Sequence, residues 1–386
     1  MTHINLSLIL FVCAALSACF FLYWFAVPQR FRASFLALAS IIFIASYSIK
    51  YACYFLFNVG LVYLAAVFME KNRGSGKTWL RVVLFWLVTN LCFFKYSRIL
   101  QIPALKVILP LGTSYIIFRL IHYIVEVYRK RIPRGAFIDL AEFVLFFPTF
   151  LAGPVDRFQN FYPQSREPKI LDVALLNEGL GRIALGLLKK FVVADQLAGF
   201  IMPVLSFPQS HPSVSVLASV YGLAIMIYMD FSGYTDMAVG TARLFGYRIM
   251  ENFDRPFLKA NIALFWRSWH ISVYSWIRDY FFLPLFGYRA REIKVYTGIF
   301  CSMIVFMLWH QGTLSFLVLG IYHGLGLILW QIFQEAKRRY PGLRRLVARP
   351  YLDPFSTFFT FTFVSFGFIF FAFDTQAAGR IMQRLL

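Results

Sequence analysis

The sequence predicts an all-α, polytopic integral membrane protein with roughly 9–11 transmembrane helices, completed by re-entrant or amphipathic helices around a central cavity. Of the 386 residues, 60% are hydrophobic and only 15% are charged, whereas soluble domains are about 45–50% apolar and about 25% charged. This composition excludes disordered chains, coiled coils, collagens and almost any soluble enzyme. The apolar runs are continuous, which also excludes a β-barrel, because its strands alternate apolar and polar residues.

The predicted spans are apolar runs that can cross about 30 Å of hydrocarbon. No basic segment precedes the first run and no small-residue cleavage site follows it, which favours a retained helix over a signal peptide. One run contains Lys189 and Lys190, so we expect that helix to be tilted or half-buried. The predicted runs are 5–27, 34–49, 51–69, 79–96, 107–128, 137–153, 177–204, 214–230, 296–310, 314–334 and 355–373.

Residues 241–295 interrupt this pattern, because they mix Arg, Asp, Trp and Phe without a clean twenty-residue apolar run. Amphipathic or re-entrant helices packed inside protein suit such a segment. We interpret 1–386 as a single domain. It comprises N-terminal spans (1–106), a motif-bearing core (107–334), and a basic loop with a C-terminal span (335–386).

The net charge is +20, and basic residues stand in short runs between apolar stretches, as at Arg129, Lys130 and Arg131. This pattern indicates the positive-inside rule and contact with anionic lipids, not nucleic acid, and it places the N-terminus outside. A basic cytoplasmic face also suits an acidic partner. The five cysteines lie in apolar runs without a CxxC pair, so we expect free thiols and no metal site.

Two histidines are the candidate catalytic residues. His310 stands near the end of an apolar run, where a titratable group is costly and indicates function, although a core histidine bonded to a backbone carbonyl remains an equal alternative. His270 follows Trp269. If 265–280 is one helix, Trp266, Trp269 and His270 share a face, with Arg278 and Asp279 after it.

Further candidate residues surround these histidines in sequence. Asp230 and Asp236 need partners if buried, and Arg243, Arg255 and Arg267 are the candidates. His323 is expected to pack near the site. His122 and Glu126, four residues apart on one predicted helix, are expected to form a structural polar pair.

Six sequence blocks resemble, in order, the motifs of the membrane-bound O-acyltransferase family. They are 109–115, 152–157, 228–240, 251–256 with 265–272, 308–310 and 320–324. The nearest branch contains the alginate O-acetyltransferase and the D-alanyl transferase of teichoic-acid modification. One departure is Gln311, since glycine usually follows the essential histidine of the family.

The resemblance implies that His310 is the essential histidine and His270 the second active-site histidine. It implies no bound cofactor, an acyl-CoA or acidic acyl carrier protein thioester as donor, and a bacterial cytoplasmic (inner) membrane location. The expected reaction transfers an acetyl group to a hydroxyl of a cell-surface or exported polysaccharide, or to a periplasmic partner. His310 would act as general base, with Trp269 or Trp309 N–H groups as oxyanion donors.

Three alternatives stay open at the level of sequence. One is D-alanyl transfer from an acyl carrier protein in cell-wall polymer modification. Another is a transporter or flippase for a lipid-linked intermediate, because buried His and Asp suit that activity too. The third is a structural membrane subunit that recruits a periplasmic acyltransferase.

Overall fold

The computed structural model describes residues 6–72, 74–96, 112–287, 292–347 and 352–386. Within these ranges the chain is helical and has no β-strand, only an isolated antiparallel bridge between Phe253 and Trp269. The prediction of an all-α protein is confirmed.

The described part of the chain contains eighteen α-helices. The first nine are α1 (Leu6–Phe21), α2 (Arg32–Tyr47), α3 (Ile49–Lys71), α4 (Gly76–Tyr96), α5 (Thr113–Tyr128), α6 (Phe137–Leu145), α7 (Phe158–Arg166), α8 (Val173–Leu187) and α9 (Asp195–Ser206). The remainder are α10 (Ser213–Leu244), α11 (Ile262–Ser268), α12 (Ile271–Ile277), α13 (Leu283–Phe286), α14 (Glu292–His310), α15 (Leu314–Arg339), α16 (Pro341–Val347), α17 (Asp353–Ala372) and α18 (Thr375–Leu385). Short π-helices cover Leu22–Ala26, Leu188–Ala194 and Arg278–Phe282.

Seven helices in the described ranges are long and apolar enough to cross a membrane. They are α3, α4, α10, α14, α15, α17, and α2 together with the 3₁₀ turn that precedes it. The predicted run 137–153 instead forms the nine-residue α6 and a 3₁₀ turn, which is about 14 Å of α-helix and too short to span. The predicted run 177–204 is interrupted by the π-helix at Leu188–Ala194.

The chain divides into two compact units. The first comprises residues 1–184 and 236–250, and the second comprises 185–235 and 251–386. α10 contributes to both units, since its residues up to Thr235 belong to the second unit and those from Asp236 to the first.

The first unit is built around α5. Every residue of α5 from Ile116 to Val127 is buried, including the polar Arg119, His122 and Glu126, so these three side chains need partners inside the protein. The buried Arg119 on this helix donates to the backbone carbonyls of Phe143, Val144, Thr149 and Pro154 and to the Thr149 hydroxyl. Arg119 therefore ties the connection after α6 to the centre of this unit.

The expected pair of His122 and Glu126 is wrong. His122 Nε2 accepts a hydrogen bond from the backbone N–H of Phe158 at 2.9 Å. Glu126 instead binds Arg129 at 3.0 Å and Gln159 at 3.2 Å. α7 supplies partners for both side chains, since the Phe158 N–H donates to His122 and the Gln159 side chain interacts with His122 and Glu126.

In the second unit, α14 and α15 form a close helical hairpin. A Cβ atom at Gly320 would lie 2.9 Å from Cα of Ile304, and one at Gly324 would lie 3.0 Å from the Phe300 ring. Only glycine allows the two backbones to approach this closely. The three-residue connection after His310 places that residue at one end of the hairpin.

Four of the five cysteines have described side chains, and these carry free thiols, as predicted. They are Cys19, Cys53, Cys92 and Cys301. The side chain of Cys13 lies outside the described part of the structure.

Candidate active site

His270 lies at a break between two short helices. α11 ends at Ser268, Trp269 is extended, and His270 is left-handed, at φ 46° and ψ 49°, before α12 begins at Ile271. The expectation that 265–280 forms one helix with a shared face is therefore wrong. A left-handed non-glycine residue costs about 1–2 kcal/mol, so other contacts must stabilise the break.

Those contacts come from the segment around Asn252. The Asp254 N–H donates to the Ser268 carbonyl at 3.0 Å, and the Ile271 N–H donates to the Asn252 carbonyl at 2.9 Å. These two bonds flank the bridge between Phe253 and Trp269. Backbone hydrogen bonds therefore hold the chain both before and after the left-handed His270.

The imidazole of His270 is fully buried. Neither of its ring nitrogens has a hydrogen-bond partner within the described part of the chain. Burial lowers the pKa of His270 well below its usual value, and the neighbouring His310 lowers it further, so the neutral ring, with one donor and one acceptor nitrogen, is favoured. A buried polar ring without a protein partner is costly to maintain and indicates a site that receives a ligand or water.

His310 stands beside it. The two imidazole centroids are 6.1 Å apart. His310 is the last residue of α14 and is half-buried. The predicted pair of catalytic histidines therefore comes together, although 39 residues of chain separate the two positions.

Aromatic rings form the wall around the two histidines. The Trp309 ring lies 4.6 Å from His310 and 6.0 Å from His270. Phe306 lies 5.5 Å from His310 and 5.9 Å from His270, and Phe231 lies 4.7 Å from His270. Such a wall lowers the local dielectric around the buried His270 and strengthens any electrostatic interaction made there.

Trp269 packs elsewhere, although it is adjacent to His270. Its buried ring is 5.1 Å from both Phe253 and Phe368 and 5.5 Å from Phe265. This packing favours a structural role for Trp269, and Trp309 is the tryptophan whose ring contacts both histidines.

His323 is buried on α15, close to this site but not in ring contact with the pair. Its ring stands perpendicular to Trp266 at 5.0 Å. Trp266 in turn contacts Phe306 at 5.4 Å. His323 Nδ1 and Trp266 Nε1 have no hydrogen-bond partner among the described residues.

The two aspartates occupy different surroundings, and the expected arginine partners are wrong. Asp230 is half-exposed and pairs with Lys190, which also binds Asp195 at 2.9 Å. Lys190 reaches both carboxylates from the π-helix Leu188–Ala194. Asp236 belongs to the first unit, where it is buried and pairs with Arg182 at 2.6 Å.

The candidate arginines have other positions. Arg243 binds Glu178 at 2.6 Å. Arg267 is exposed. Arg278 Nε donates to the adjacent Asp279 at 2.8 Å within a π-helix. The partners of Asp230 and Asp236 cannot be predicted from sequence spacing, because they depend on which helices pack together.

Gln311 follows His310 directly and is exposed, with its backbone N–H 3.4 Å from the Met307 carbonyl. It extends the last turn of α14. Its side chain is therefore beside the half-buried His310 and outside the aromatic wall.

The sequence analysis missed Asn252 and Ser272. The only available signal was their presence in the fourth motif block. Asn252 is fully buried, and its Oδ1 accepts from the Ser272 hydroxyl at 2.6 Å. Across the residues that the structure describes, no group of three or more His, Cys, Asp or Glu side chains could hold a metal ion.

The known proteins that this chain resembles are named as acyltransferases. The model of the membrane-bound O-acyltransferase family matches residues 76–373. The probable alginate O-acetylase AlgI of Pseudomonas fluorescens is 31% identical over 363 residues, which cover 92% of this chain and 70% of that protein. The peptidoglycan O-acetyltransferase of Helicobacter pylori is 26% identical over 408 residues, covering 95% and 76%. The teichoic acid D-alanyltransferase of Bacillus subtilis is 28% identical over 283 residues, covering 70% of each chain.

Proposed function

The chain belongs to the membrane-bound O-acyltransferase family, and on that premise we propose that it acetylates a hydroxyl group of an exported or cell-surface polysaccharide. Relatives named as O-acetylases of alginate and peptidoglycan support the acetyl group and the polymer acceptor. An acyltransferase accounts for these similarities better than a transporter or a purely structural subunit does.

The observation that carries the proposal is the pair of imidazoles at 6.1 Å inside an aromatic wall. The two rings are close enough to bind the same reacting group, since an atom beside the pair can lie about 3 Å from one nitrogen of each ring. A general base must lie within hydrogen-bond reach of the proton it removes. His310 is the half-buried member of the pair, so it is the ring that an incoming hydroxyl meets.

In the proposed mechanism, His310 removes the proton from the acceptor hydroxyl. The hydroxyl oxygen then attacks the thioester carbonyl, the new C–O bond forms, and the C–S bond breaks. The proton passes from His310 to the leaving thiolate. The buried His270, neutral and with one N–H, would donate to the oxyanion as it develops, which stabilises the transition state more than the ground state.

The donor is proposed to be an acyl-CoA or acyl carrier protein thioester that reaches the site from the cytoplasmic side. The chain's net charge of +20 favours binding of an acidic donor or carrier. The acceptor, a polysaccharide or a periplasmic acyltransferase partner, would approach from outside. A bacterial cytoplasmic membrane, with the N-terminus outside, provides both compartments.

The test uses purified protein in lipid nanodiscs with radiolabelled acetyl-CoA. We expect His310→Ala to lower thioester cleavage by at least about 1,000-fold, because both general-base catalysis and substrate positioning are lost. His211→Ala is the matched control, since His211 lies in the loop before α10. Wild-type turnover by a folded His310→Ala variant would refute the role of His310.

The acyl group is decided by a second arm of the same assay. The similarity to a D-alanyltransferase makes a D-alanyl carrier-protein thioester the alternative donor. Histidine-dependent cleavage of that thioester, without cleavage of acetyl-CoA, would replace acetyl with D-alanyl in the proposal.

A further inference from the structure

We infer that Asn252 is a positioning residue that holds His270 in its left-handed conformation and thereby sets the orientation of the imidazole. The inference rests on the proposed function, because the orientation of the imidazole affects catalysis only if His270 donates to the oxyanion. It concerns a residue that does not itself touch the reacting atoms.

Asn252 binds the two residues that follow His270, one through its backbone and the other through its side chain. Its backbone carbonyl accepts from the Ile271 N–H at 2.9 Å. Its side-chain Oδ1 accepts from the Ser272 hydroxyl at 2.6 Å and lies 3.4 Å from the Ser272 N–H. Asn252 therefore binds the first two N–H groups of α12, which begins directly after His270, while the next two donate to the His270 carbonyl.

The amide of Asn252 is itself fixed by α10. Its Nδ2 lies 3.4 Å from the Thr235 hydroxyl oxygen. Asn252, Ser272 and Thr235 are all buried, at 0–2% exposure. A chain of buried polar groups that satisfy one another permits a single arrangement, because any rotation leaves a donor or acceptor without a partner.

His270 has nothing comparable of its own. Its ring nitrogens have no partner among the described residues, so no hydrogen bond of the imidazole sets its direction. The ring direction follows from the backbone at φ 46° and from the contact with Phe231 at 4.7 Å. Asn252→Ala leaves the backbone bond to Ile271 in place and removes the side-chain bonds to Ser272, so this variant tests what the amide side chain contributes to holding a left-handed residue that is not glycine.

The first experiment compares Asn252→Ala with Asn58→Ala. Asn58 is an equally buried amide in the first unit, bonded to Trp86 and Tyr54. We expect Asn252→Ala to lower kcat by about 100-fold with little change in KM, because a misplacement of about 1 Å costs that much. Asn58→Ala is expected to keep wild-type kcat.

A second readout does not depend on turnover. Diethyl pyrocarbonate acylates accessible neutral imidazoles, and modification at His270 can be followed by peptide mass spectrometry. The buried His270 of the wild type is expected to react slowly, and its reaction should accelerate at least tenfold in Asn252→Ala but not in Asn58→Ala. Unchanged reactivity together with wild-type kcat would overturn the inference.

A matched pair at Ser272 covers the case in which Asn252→Ala does not fold. Threonine and valine have the same shape, and only threonine keeps the hydroxyl that donates to Asn252. Ser272→Thr should exceed Ser272→Val in kcat by about tenfold, and equal values would overturn the inference. If His310→Ala keeps full turnover, the proposed function fails, and the His270 modification rates alone decide the role of Asn252.

Discussion

Replacing Glu142 with glutamine should remove a pH dependence of the free energy of unfolding, because Glu142 is a carboxyl group in the core of the first unit. Glu142 is fully buried on α6. Its Oε1 accepts from the Tyr247 hydroxyl at 2.5 Å, and its Oε2 has no hydrogen-bond partner within the described ranges. Burial raises the pKa of this carboxyl from 4.5 to about 7, although the bond from Tyr247 and the charge of Lys169 oppose the rise.

The sign and size follow from proton linkage. The native state holds the Glu142 proton up to about pH 7, while the unfolded chain releases it near 4.5. The stabilisation by the proton is therefore complete below pH 4.5 and is lost as the pH rises through about 7. Since one pH unit corresponds to about 1.4 kcal/mol per proton, the loss amounts to about 3 kcal/mol.

Two other buried groups, Lys169 and Asp156, also titrate, and both are present in the wild type and in the Glu142→Gln variant. Burial lowers the pKa of Lys169 to about 8, and the nearby Glu142 opposes this decrease, so the comparison measures Glu142 together with its effect on Lys169. Burial raises the pKa of Asp156 to about 6, and its contribution is common to wild type and variant. The glutamine side chain keeps a carbonyl oxygen that can accept from Tyr247. The free-energy cost of burying its NH2 group does not vary with pH.

The assay is thermal unfolding in detergent micelles between pH 5 and pH 7.5, followed by tryptophan fluorescence. The stability of the wild type relative to Glu142→Gln should fall steadily over this range. A difference between the two proteins that is independent of pH would refute the assignment of the buried proton to Glu142.

Two further predictions concern packing and charge in the first unit. A Cβ atom at Gly240 would lie 2.6 Å from the Gly179 carbonyl oxygen, so Gly240→Ala should lower the free energy of unfolding by about 1–3 kcal/mol. The control is Gly181→Ala, because nothing lies within 4 Å of a Cβ atom there. Equal shifts of the unfolding temperature in the two variants would contradict the close approach. Arg182→Met should cost about 3–5 kcal/mol because it removes the ion-pair partner of the buried Asp236 carboxylate. Adding Asp236→Asn should recover part of that loss, and simple additivity of the two losses would contradict the ion pair.

Apolar runs predicted the long helices well, since a lipid-facing helix requires a continuous apolar length. The same runs overestimated the number of long helices at 137–153 and 177–204. At 137–153, where residues 139–146 are buried, burial inside protein also selects apolar residues, so composition alone cannot separate a core helix from a spanning one. The run at 177–204 is mostly exposed and is divided by the π-helix at Leu188–Ala194. α5, which is buried from Ile116 to Val127, is a second case of a core helix in an apolar run.

Charge partners were the least predictable part. Sequence proximity suggested arginines for Asp230 and Asp236, whereas Lys190 and Arg182 bind them. These partners are 40 and 54 residues away, and they meet because glycines allow close approach. A Cβ atom at Gly233 would lie 2.8 Å from the Gly186 carbonyl oxygen.

The amino-acid sequence alone was enough to predict the helical membrane class, the order of the motif blocks and the two candidate histidines, because hydropathy and rare titratable residues in apolar runs are visible in local composition. The left-handed break at His270, its 6.1 Å distance from His310 and the bonds from Asn252 to Ile271 and Ser272 depend on the fold and are seen only in the structure. A helical face over 265–280 was the natural local prediction. Hydrogen bonds from a distant segment override local helix preference, since two backbone bonds and one buried amide outweigh the cost of one left-handed residue.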